Sequence, residues 1–340
     1  MQVIEVRNVH DALLRGIDLL NTEDYQSDSR NGEVYEAKTP VTTVFSKPNE
    51  RVLFWKERNA NPFFHFMEGL WMLEGRNDLK FVHYYNKGME RYSDNGKTLH
   101  GAYGWRWRSY FSFNQLNVII VRLKKDPTDR RCVLQMWDAD GDLGNNGKDV
   151  PCNTCAYFKI DPQGCLQMTV SNRSNDIIWG AYGANAVHFS MLQEYLATNI
   201  GVSVGKYYQV SNNYHAYSEV YEKLLQKFTE KDALDFYAQK TLIDSNPYKI
   251  GEVQPYPMVN TEVLSWNVDL LGFLDRIPFK ETNFTDPFFN EVAVPMQDSW
   301  WLHKNGKTDE AMIEIQNCAA TDWRKACWEW FSRKLNKELP

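Results

Sequence analysis

Cys152 and Cys155 stand three residues apart in "DVPCNTCAYFKI" (149–160). Three chemistries use a C-x-x-C frame: half of a zinc site, a redox dithiol, or one nucleophilic thiolate beside an inert neighbour. A structural zinc site takes four ligands, usually from a second C-x-x-C or an H-x-x-x-H pair. Cys165, Cys318 and Cys327 do not pair at such spacing, so no metal is expected. A redox pair normally opens a helix, whose N-terminus stabilises the thiolate. Here the segment "CAYFKI" alternates like a strand. Taken alone, it reads most plainly as two cysteines packed in a sheet.

The residues around it change that balance. Arg173, Ser174 and Asp176 follow Cys152 by 21 to 24 positions. "CAYFKIDPQGCLQMTVSNRS" reads as strand, "DPQG" turn and strand, which folds Arg173 back beside Cys152. "DPTDRR" (126–131) precedes the cysteine, and "SNNYHAYSEVY" (211–221) follows the hairpin. A thiol among arginines, with a carboxylate and a His-x-Tyr pair, describes an anion pocket around a nucleophile. Nearby guanidinium groups favour the thiolate form. Glu68 adds an acid inside an apolar stretch, "FMEGLW", where burial raises its pKa toward proton-transfer duty.

Several elements must position these groups. "VHDALLRGIDLLNT" puts Val9, Leu13, Leu14, Ile17 and Leu20 on one helical face. "ANPFFHFMEGLWMLEG" reads as a buried helix, with Pro62 near its start and Gly75 near its end. "LNVIIVRLKKDP" reads as a helix closed before Pro127, "RRCVLQMWD" as a strand, and "GANAVHFSMLQEYLATNIG" as a helix ending at Gly201. Residues 232–300 are rich in Pro, Asn and Asp and give no clear pattern. Two helices are expected from Thr308 and Thr321, with Trp323, Trp328 and Phe331 as a core-packing stripe. Irregular interspersion of helices and strands predicts an α+β domain.

Bulk properties narrow the partners. The 340 residues suffice for a large core, and a net charge of −6 argues against general nucleic-acid binding. No apolar run reaches the roughly 18 residues of a membrane span. The start, "MQVIEVRNVHDALLRG", lacks the pattern of a signal peptide. Six scattered cysteines fit a reducing, cytoplasmic setting.

The order of seven short pieces resembles the thymidylate synthase family. They are "SRNG" (29–32), "HFMEGLWMLEG" (65–75), "GAYGWRWR" (101–108), "DPTDRR" (126–131), "PCNT" (151–154), "RSND" (173–176) and "HAY" (215–217). "NRSND" is closer to the nucleotide hydroxymethylase branch, of phage type, with its dUMP and dCMP enzymes. The resemblance implies a large mixed β-sheet packed with helices, one sheet face forming the interface of an obligate homodimer. It implies a catalytic domain over 1–300 and a helical extension over 301–340. It implies a pyrimidine deoxynucleoside monophosphate and 5,10-methylenetetrahydrofolate as co-substrates, with no direct nucleic-acid or membrane partner. For a phage-encoded chain the setting is the host cytoplasm.

Residue by residue, the resemblance implies Cys152 as the thiolate that adds to C6 of the pyrimidine. Cys155 has no matching role. Arg30 and Arg173, with Ser174, match the phosphate site of the same subunit, and Arg130 and Arg131 match the pair donated by the partner. His215 and Tyr217 match the residues holding the sugar 3′-hydroxyl. Glu68 and Tyr103 match the proton-handling groups, and Asp176 the carboxylate that binds the pterin. Asn185 matches the base-reading asparagine if one residue is inserted after Gly180. No acid lies between Ala181 and Ser190, which favours uracil over cytosine. Met89 and Tyr92 fall where synthases carry folate-site tryptophans, and "RKLNKELP" replaces their apolar tail. Both departures favour capture of the C5 methylene by water, giving a hydroxymethyl group. Thymidylate synthesis, and a nucleotide-binding relative without turnover, remain the alternatives.

Overall fold

The computed structural model describes residues 1–230 and 234–335. Its strands are β1 (Gln2–Val6), β2 (Gln26–Ser29), β3 (Gly32–Glu36), β4 (Val41–Phe45), β5 (Val133–Gln135), β6 (Asn153–Ile160), β7 (Cys165–Asn172), β8 (Asn175–Asp176), β9 (Ser203–Ser211) and β10 (Tyr214–Tyr217). They form a six-stranded sheet, β1-β4-β9-β7-β6-β5, and a four-stranded one, β2-β3-β10-β8. Both are mixed: β7 runs parallel to β9 but antiparallel to β6, and β10 runs parallel to β8 but antiparallel to β3. With the helices, this is the expected α+β architecture.

The hairpin read from "CAYFKIDPQGCLQMTVSNRS" is β6–β7. It turns at Asp161–Gly164, where the Gly164 N–H donates to the Asp161 carbonyl and Gly164 sits at φ +78°, a left-handed conformation that suits glycine. The strand expected in "RRCVLQMWD" survives only as Val133–Gln135. β1, which pairs in parallel with β4, carried no sequence signal, being short and on the sheet edge.

Alternation sorts the large sheet into two faces. Ala156, Phe158, Leu166, Met168, Val170 and Tyr207 are buried, and the Asn185–Ile200 helix contacts β7 and β9. The opposite face holds Val133, Cys155, Tyr157, Thr169, Tyr208 and Val210, all exposed or half-buried. Val133 is 43% exposed and Tyr157 47%, so apolar surface stands open on that face.

The Pro62–Glu74 helix runs through the middle of the molecule. Asn61 caps it by accepting from the Phe64 N–H, Pro62 opens it, and Gly75 ends it at φ +87°. Phe63, Phe66, Met67, Leu70, Trp71 and Leu73 are all buried, so it is apolar nearly all round. That pattern has a cause in the tertiary structure. The helices Asn185–Ile200, Val263–Leu274, Val294–Lys304 and Thr321–Leu335 all contact it. Residues 232–300 therefore contain helices, at Phe236–Asp244 and Val263–Leu274, that had no clear sequence pattern. Residue 300, the boundary expected from the sequence, lies inside the Val294–Lys304 helix. The helices expected from Thr308 and Thr321 are present as Thr308–Glu314 and Thr321–Leu335. Trp323 and Phe331 pack inward, but Trp328 is 43% exposed and leaves the expected stripe. The last five residues of "RKLNKELP" lie outside the described residues.

The short helix Tyr103–Trp105 crosses this central helix closely. A Cβ added at Gly104 would lie 1.9 Å from the Met72 carbonyl oxygen, a backbone atom that cannot step aside. Gly104→Ala is therefore expected to destabilise the protein by roughly 3 kcal/mol or more. Gly144→Ala, where an added Cβ meets nothing within 4 Å, is the control. Thermal unfolding of the two variants checks this, and equal melting temperatures would contradict the close crossing.

Candidate active site

A cavity of about 860 Å³ opens between the two sheets and the central helix. That volume lies at the upper end of the range for small-molecule sites, ~300–1,000 Å³. Its wall includes Cys152, Arg173, Glu68, Asp176, Asn185 and His215.

Cys152 immediately precedes β6 and Arg173 immediately follows β7, so the open end of the hairpin brings them together. The Arg173 N–H donates to the Cys152 carbonyl at 2.9 Å. Its Nε donates to the Pro151 carbonyl at 2.8 Å and its Nη2 to the Val150 carbonyl at 2.9 Å, with Nη2 3.6 Å from Cys152 Sγ. From the other side, Tyr103 Oη accepts the N–H groups of Cys152 and Asn153, both at 3.2 Å. The thiol therefore sits on a backbone turn held at both edges.

Its ionisation departs from the sequence expectation. Burial pushes the Cys152 thiol above its ordinary value and outweighs the pull of Arg173 and Arg30, while Asp149 pushes the same way as burial. Arg173 already gives hydrogen bonds to two carbonyls, which leaves less of its charge for the sulfur. Burial outweighs the arginines, so they do not create a standing thiolate. Cys155 lies on the open sheet face, with its thiol donating to Tyr157 Oη at 3.2 Å, and does not line the cavity.

Glu68 is the central helix's one acid at the cavity. Burial first, and then Asp149, push its carboxyl up to about 8, so it is protonated at neutral pH. Burial also raises Asp149, which accepts the Gly101 N–H at 2.8 Å. His188, on the Asn185–Ile200 helix, places Nε2 3.2 Å from Glu68 Oε2, and burial pushes its pKa down to about 3. Tyr103 is likewise pushed well above the usual phenol value by burial.

The smaller sheet supplies the opposite wall. His215 pairs with Asp176 across β10 and β8, and with Glu36 across β10 and β3. Strand alternation turns His215 and Tyr217 to one side, and both line the cavity. Tyr217 Oη accepts from Asn31 Nδ2 at 3.3 Å, which ties it to the turn carrying Arg30. One oxygen of Asp176 caps the following helical turn, accepting from the Ile178 and Trp179 N–H groups at 2.8 and 2.6 Å. The other oxygen, and His215 Nδ1, are buried without hydrogen-bond partners among the described residues. Unpartnered buried polar atoms in a cavity wall are places for ligand groups.

Asn185 lies in a chain of amides. Its Nδ2 donates to Asn175 Oδ1 at 3.0 Å, and its Oδ1 accepts from Asn153 Nδ2 at 3.2 Å. Asn153 in turn bonds Asn172, and Asn175 bonds Gln209 and Ser211. This network fixes the Asn185 amide and leaves one N–H and one lone pair free.

The expected site residues therefore divide. Arg30, Glu68, Met89, Tyr92, Tyr103, Cys152, Arg173, Ser174, Asp176, Asn185, His215 and Tyr217 all line one cavity. Arg130 and Arg131 do not. Both are exposed, and Arg131 pairs with Asp129, Nε to Oδ1, at 2.9 Å. The sequence reading missed Trp179, which lines the cavity at 51% exposure with the Arg58 guanidinium 4.3 Å above its ring. Its position between the "RSND" carboxylate and the next helix was the available signal. Among the described residues no group of three or more His, Cys, Asp or Glu is placed to hold a metal ion.

The thymidylate synthase family model matches residues 18–254. A deoxyuridylate hydroxymethyltransferase of Pseudomonas phage M6 is 50% identical over 338 residues, covering 98% of this chain and 95% of that one. A deoxyuridylate hydroxymethyltransferase of Bacillus phage SP01 is 38% identical over 60% of this chain and 57% of its own. Among solved structures, a thymidylate synthase from T4 phage aligns with a TM-score of 0.49 at 20% identity, covering 64% of this chain and 79% of that one. The motif order, the cavity they line and the match across most of the chain lead to one conclusion: this protein belongs to the thymidylate synthase family, whose members are one-carbon transferases.

Proposed function

We propose that the protein hydroxymethylates C5 of dUMP, using 5,10-methylenetetrahydrofolate and water. The observation that carries this reading is the match along 98% of the chain to a relative of that name, joined to a cavity where Cys152, Glu68 and Met89 all contribute wall. Cys152 adds to C6, the β-carbon of a conjugated carbonyl, for which a thiolate is the suited nucleophile. C5 then bonds to the folate's one-carbon unit and loses its proton, and tetrahydrofolate departs. Water oxygen bonds to the remaining methylene and gives up one proton. The C5–C6 double bond reforms as the thiolate leaves.

Each wall has a proposed part in this. Arg30, Arg173 and Ser174 bind the 5′-phosphate, and binding of a dianion there calls for more cations than these two arginines. His215 and Tyr217 hold the 3′-hydroxyl. The free N–H and lone pair of Asn185 suit O4 and N3–H of uracil, and an amide at this place supports dUMP over dCMP. Asp176, with its unpartnered oxygen, takes the N–H groups of the pterin. Met89 and Tyr92, with Trp179, wall the folate side. Glu68 and Tyr103 handle protons. A methionine at position 89, in place of a flat indole, leaves the methylene open to water.

Arg130 and Arg131 complete the phosphate site from a second subunit. The open face bearing Val133, Tyr157, Tyr208 and Val210 is the proposed contact, since an apolar sheet face of this extent calls for cover. The helices from Val294 onward act as a buttress for the central helix that carries Glu68. Among the described residues no helix is long and apolar enough to cross a membrane, and host cytoplasm is the proposed setting.

Incubation with dUMP and methylenetetrahydrofolate in ¹⁸O water tests the function. A hydroxymethyl product carrying the label, with tetrahydrofolate released, is expected. A methylated product with stoichiometric dihydrofolate would make the protein a thymidylate synthase, and turnover of dCMP alone would overturn the base assignment. The shared site is tested by mixing Cys152→Ala chains with Arg130→Ala/Arg131→Ala chains. Each is expected to be inactive alone, and subunit exchange should restore about a quarter of wild-type activity on statistical grounds, because half the chains enter heterodimers and each heterodimer has one intact site. Proven exchange without recovery would contradict it.

A further inference from the structure

Glu68 has a partner that the proposed chemistry above leaves unused. The Pro62–Glu74 and Asn185–Ile200 helices pack together, and His188 lies beside Glu68 at that contact, where both reach the cavity wall. Burial disfavours a proton on the His188 ring, and the neighbouring backbone of His65 offsets part of that. Nε2 is buried and has no hydrogen-bond partner among the described residues, and the tautomer that carries its proton on Nδ1 leaves Nε2 able to accept. Nε2 of the neutral ring is then a lone pair. It lies 3.2 Å from Glu68 Oε2. A carboxylate there would set two acceptors against each other in a dry contact. A proton on Oε2 turns the contact into an O–H···N bond after a small rotation of the carboxyl.

The charged groups around the pair press the same way. Asp149, the nearest carboxylate, disfavours a negative Glu68. Burial first, and then Arg58 and His188, push His65 well below its ordinary value. Arg30 and Arg173 act on Cys152. The resting state that emerges is a carboxylic acid with its hydroxyl turned to His188 and its other oxygen, a bare acceptor, turned to the cavity.

We infer that His188 is a positioning residue that works through Glu68 as a proton relay for the attacking water. The inference rests on the hydroxymethylation reading. As the water oxygen bonds to the C5 methylene, the electron pair of the methylene double bond moves through C5 to the C4 carbonyl. The water proton passes to the cavity-side oxygen of Glu68, and the Oε2 proton passes to His188 Nε2. The His65 backbone, which favours a proton on the ring, supports the imidazolium while it lasts. When the C5–C6 double bond reforms and Cys152 leaves, the thiolate, raised in pKa by burial, takes a proton and the pair returns to rest. The arrangement has the logic of a carboxylate–imidazole couple.

Two readouts test it. The infrared difference between wild type and Glu68→Gln at neutral pH is expected to show the carbonyl band of a protonated carboxylic acid, shifted in His188→Leu as the O–H···N bond is lost. That readout needs neither substrate nor turnover, so its failure is separate from failure of the function, which the product's mass decides. In kinetics, His188→Leu should lower kcat for hydroxymethylation about 100-fold. Dissociation of dUMP and the Cys152-dependent exchange of the C5 proton should stay within about threefold of wild type, since neither involves water capture. His188→Gln, which keeps an acceptor but takes no proton, should restore the infrared band and leave kcat low. It also serves should His188→Leu not fold. A carboxylate signature for Glu68 in wild type, or unchanged kcat in both His188 variants, would overturn the inference.

Discussion

Three hydrogen bonds from one arginine organise the site. Arg173 donates from its backbone to the Cys152 carbonyl, and from its guanidinium to the Pro151 and Val150 carbonyls. These carbonyls end a segment that has no strand partner of its own. Without the guanidinium, the turn carrying the thiol would lose two hydrogen bonds at an exposed position, about 0.5–1.5 kcal/mol each. The same guanidinium faces the proposed phosphate site, so cysteine placement and anion recognition rest on one side chain. A Lys at 173 would supply charge but not the planar fork that reaches two carbonyls at once.

The second constraint is dryness. The central helix is covered by helices from the middle and the end of the chain, and an acid on such a helix is largely desolvated. Burial raises Glu68, Asp149, Asp176 and Cys152 together. The same cavity wall also carries Arg30 and Arg173, so groups that burial pushes toward neutrality stand beside fixed positive charge. A bound dianion and a flat heterocycle would alter that balance, and ionisation of Cys152 is then coupled to occupancy. An anion pocket that does not hold a standing thiolate also limits adventitious oxidation of the sulfur.

Much of this was legible from residues alone. Capping and periodicity gave the central helix, because Asn61, Pro62 and Gly75 act locally. The β6–β7 hairpin was legible because "DPQG" sets its own turn. The cavity lining was legible because seven short motifs converge there. Other features depended on tertiary context. β1 is a short edge strand whose pairing, not its composition, makes it a strand, and pairing likewise trims the strand read in "RRCVLQMWD" to Val133–Gln135. The Val263–Leu274 helix packs against an already apolar helix, so its own pattern is weak. The thiolate expectation counted the arginines and could not weigh burial against them. Arg130 and Arg131 stand exposed beside Asp129, and a single chain contains nothing that would carry them to the cavity. His188 was visible as a residue in the sequence, but its relation to Glu68 required the packing of two helices 120 positions apart.

The account depends most on Cys152 being the group that bonds the nucleotide. A 5-fluoro analogue of dUMP forms the same sulfur–C6 bond and the same C5–folate bond, but fluorine cannot leave C5 as a proton does, so the chain of steps stops there. Intact-protein mass spectrometry after incubation with this analogue and methylenetetrahydrofolate is expected to show a gain of one nucleotide and one folate per chain, and peptide mapping should place it on Cys152. An adduct on Cys155, or no covalent adduct in protein that binds dUMP, would contradict the account.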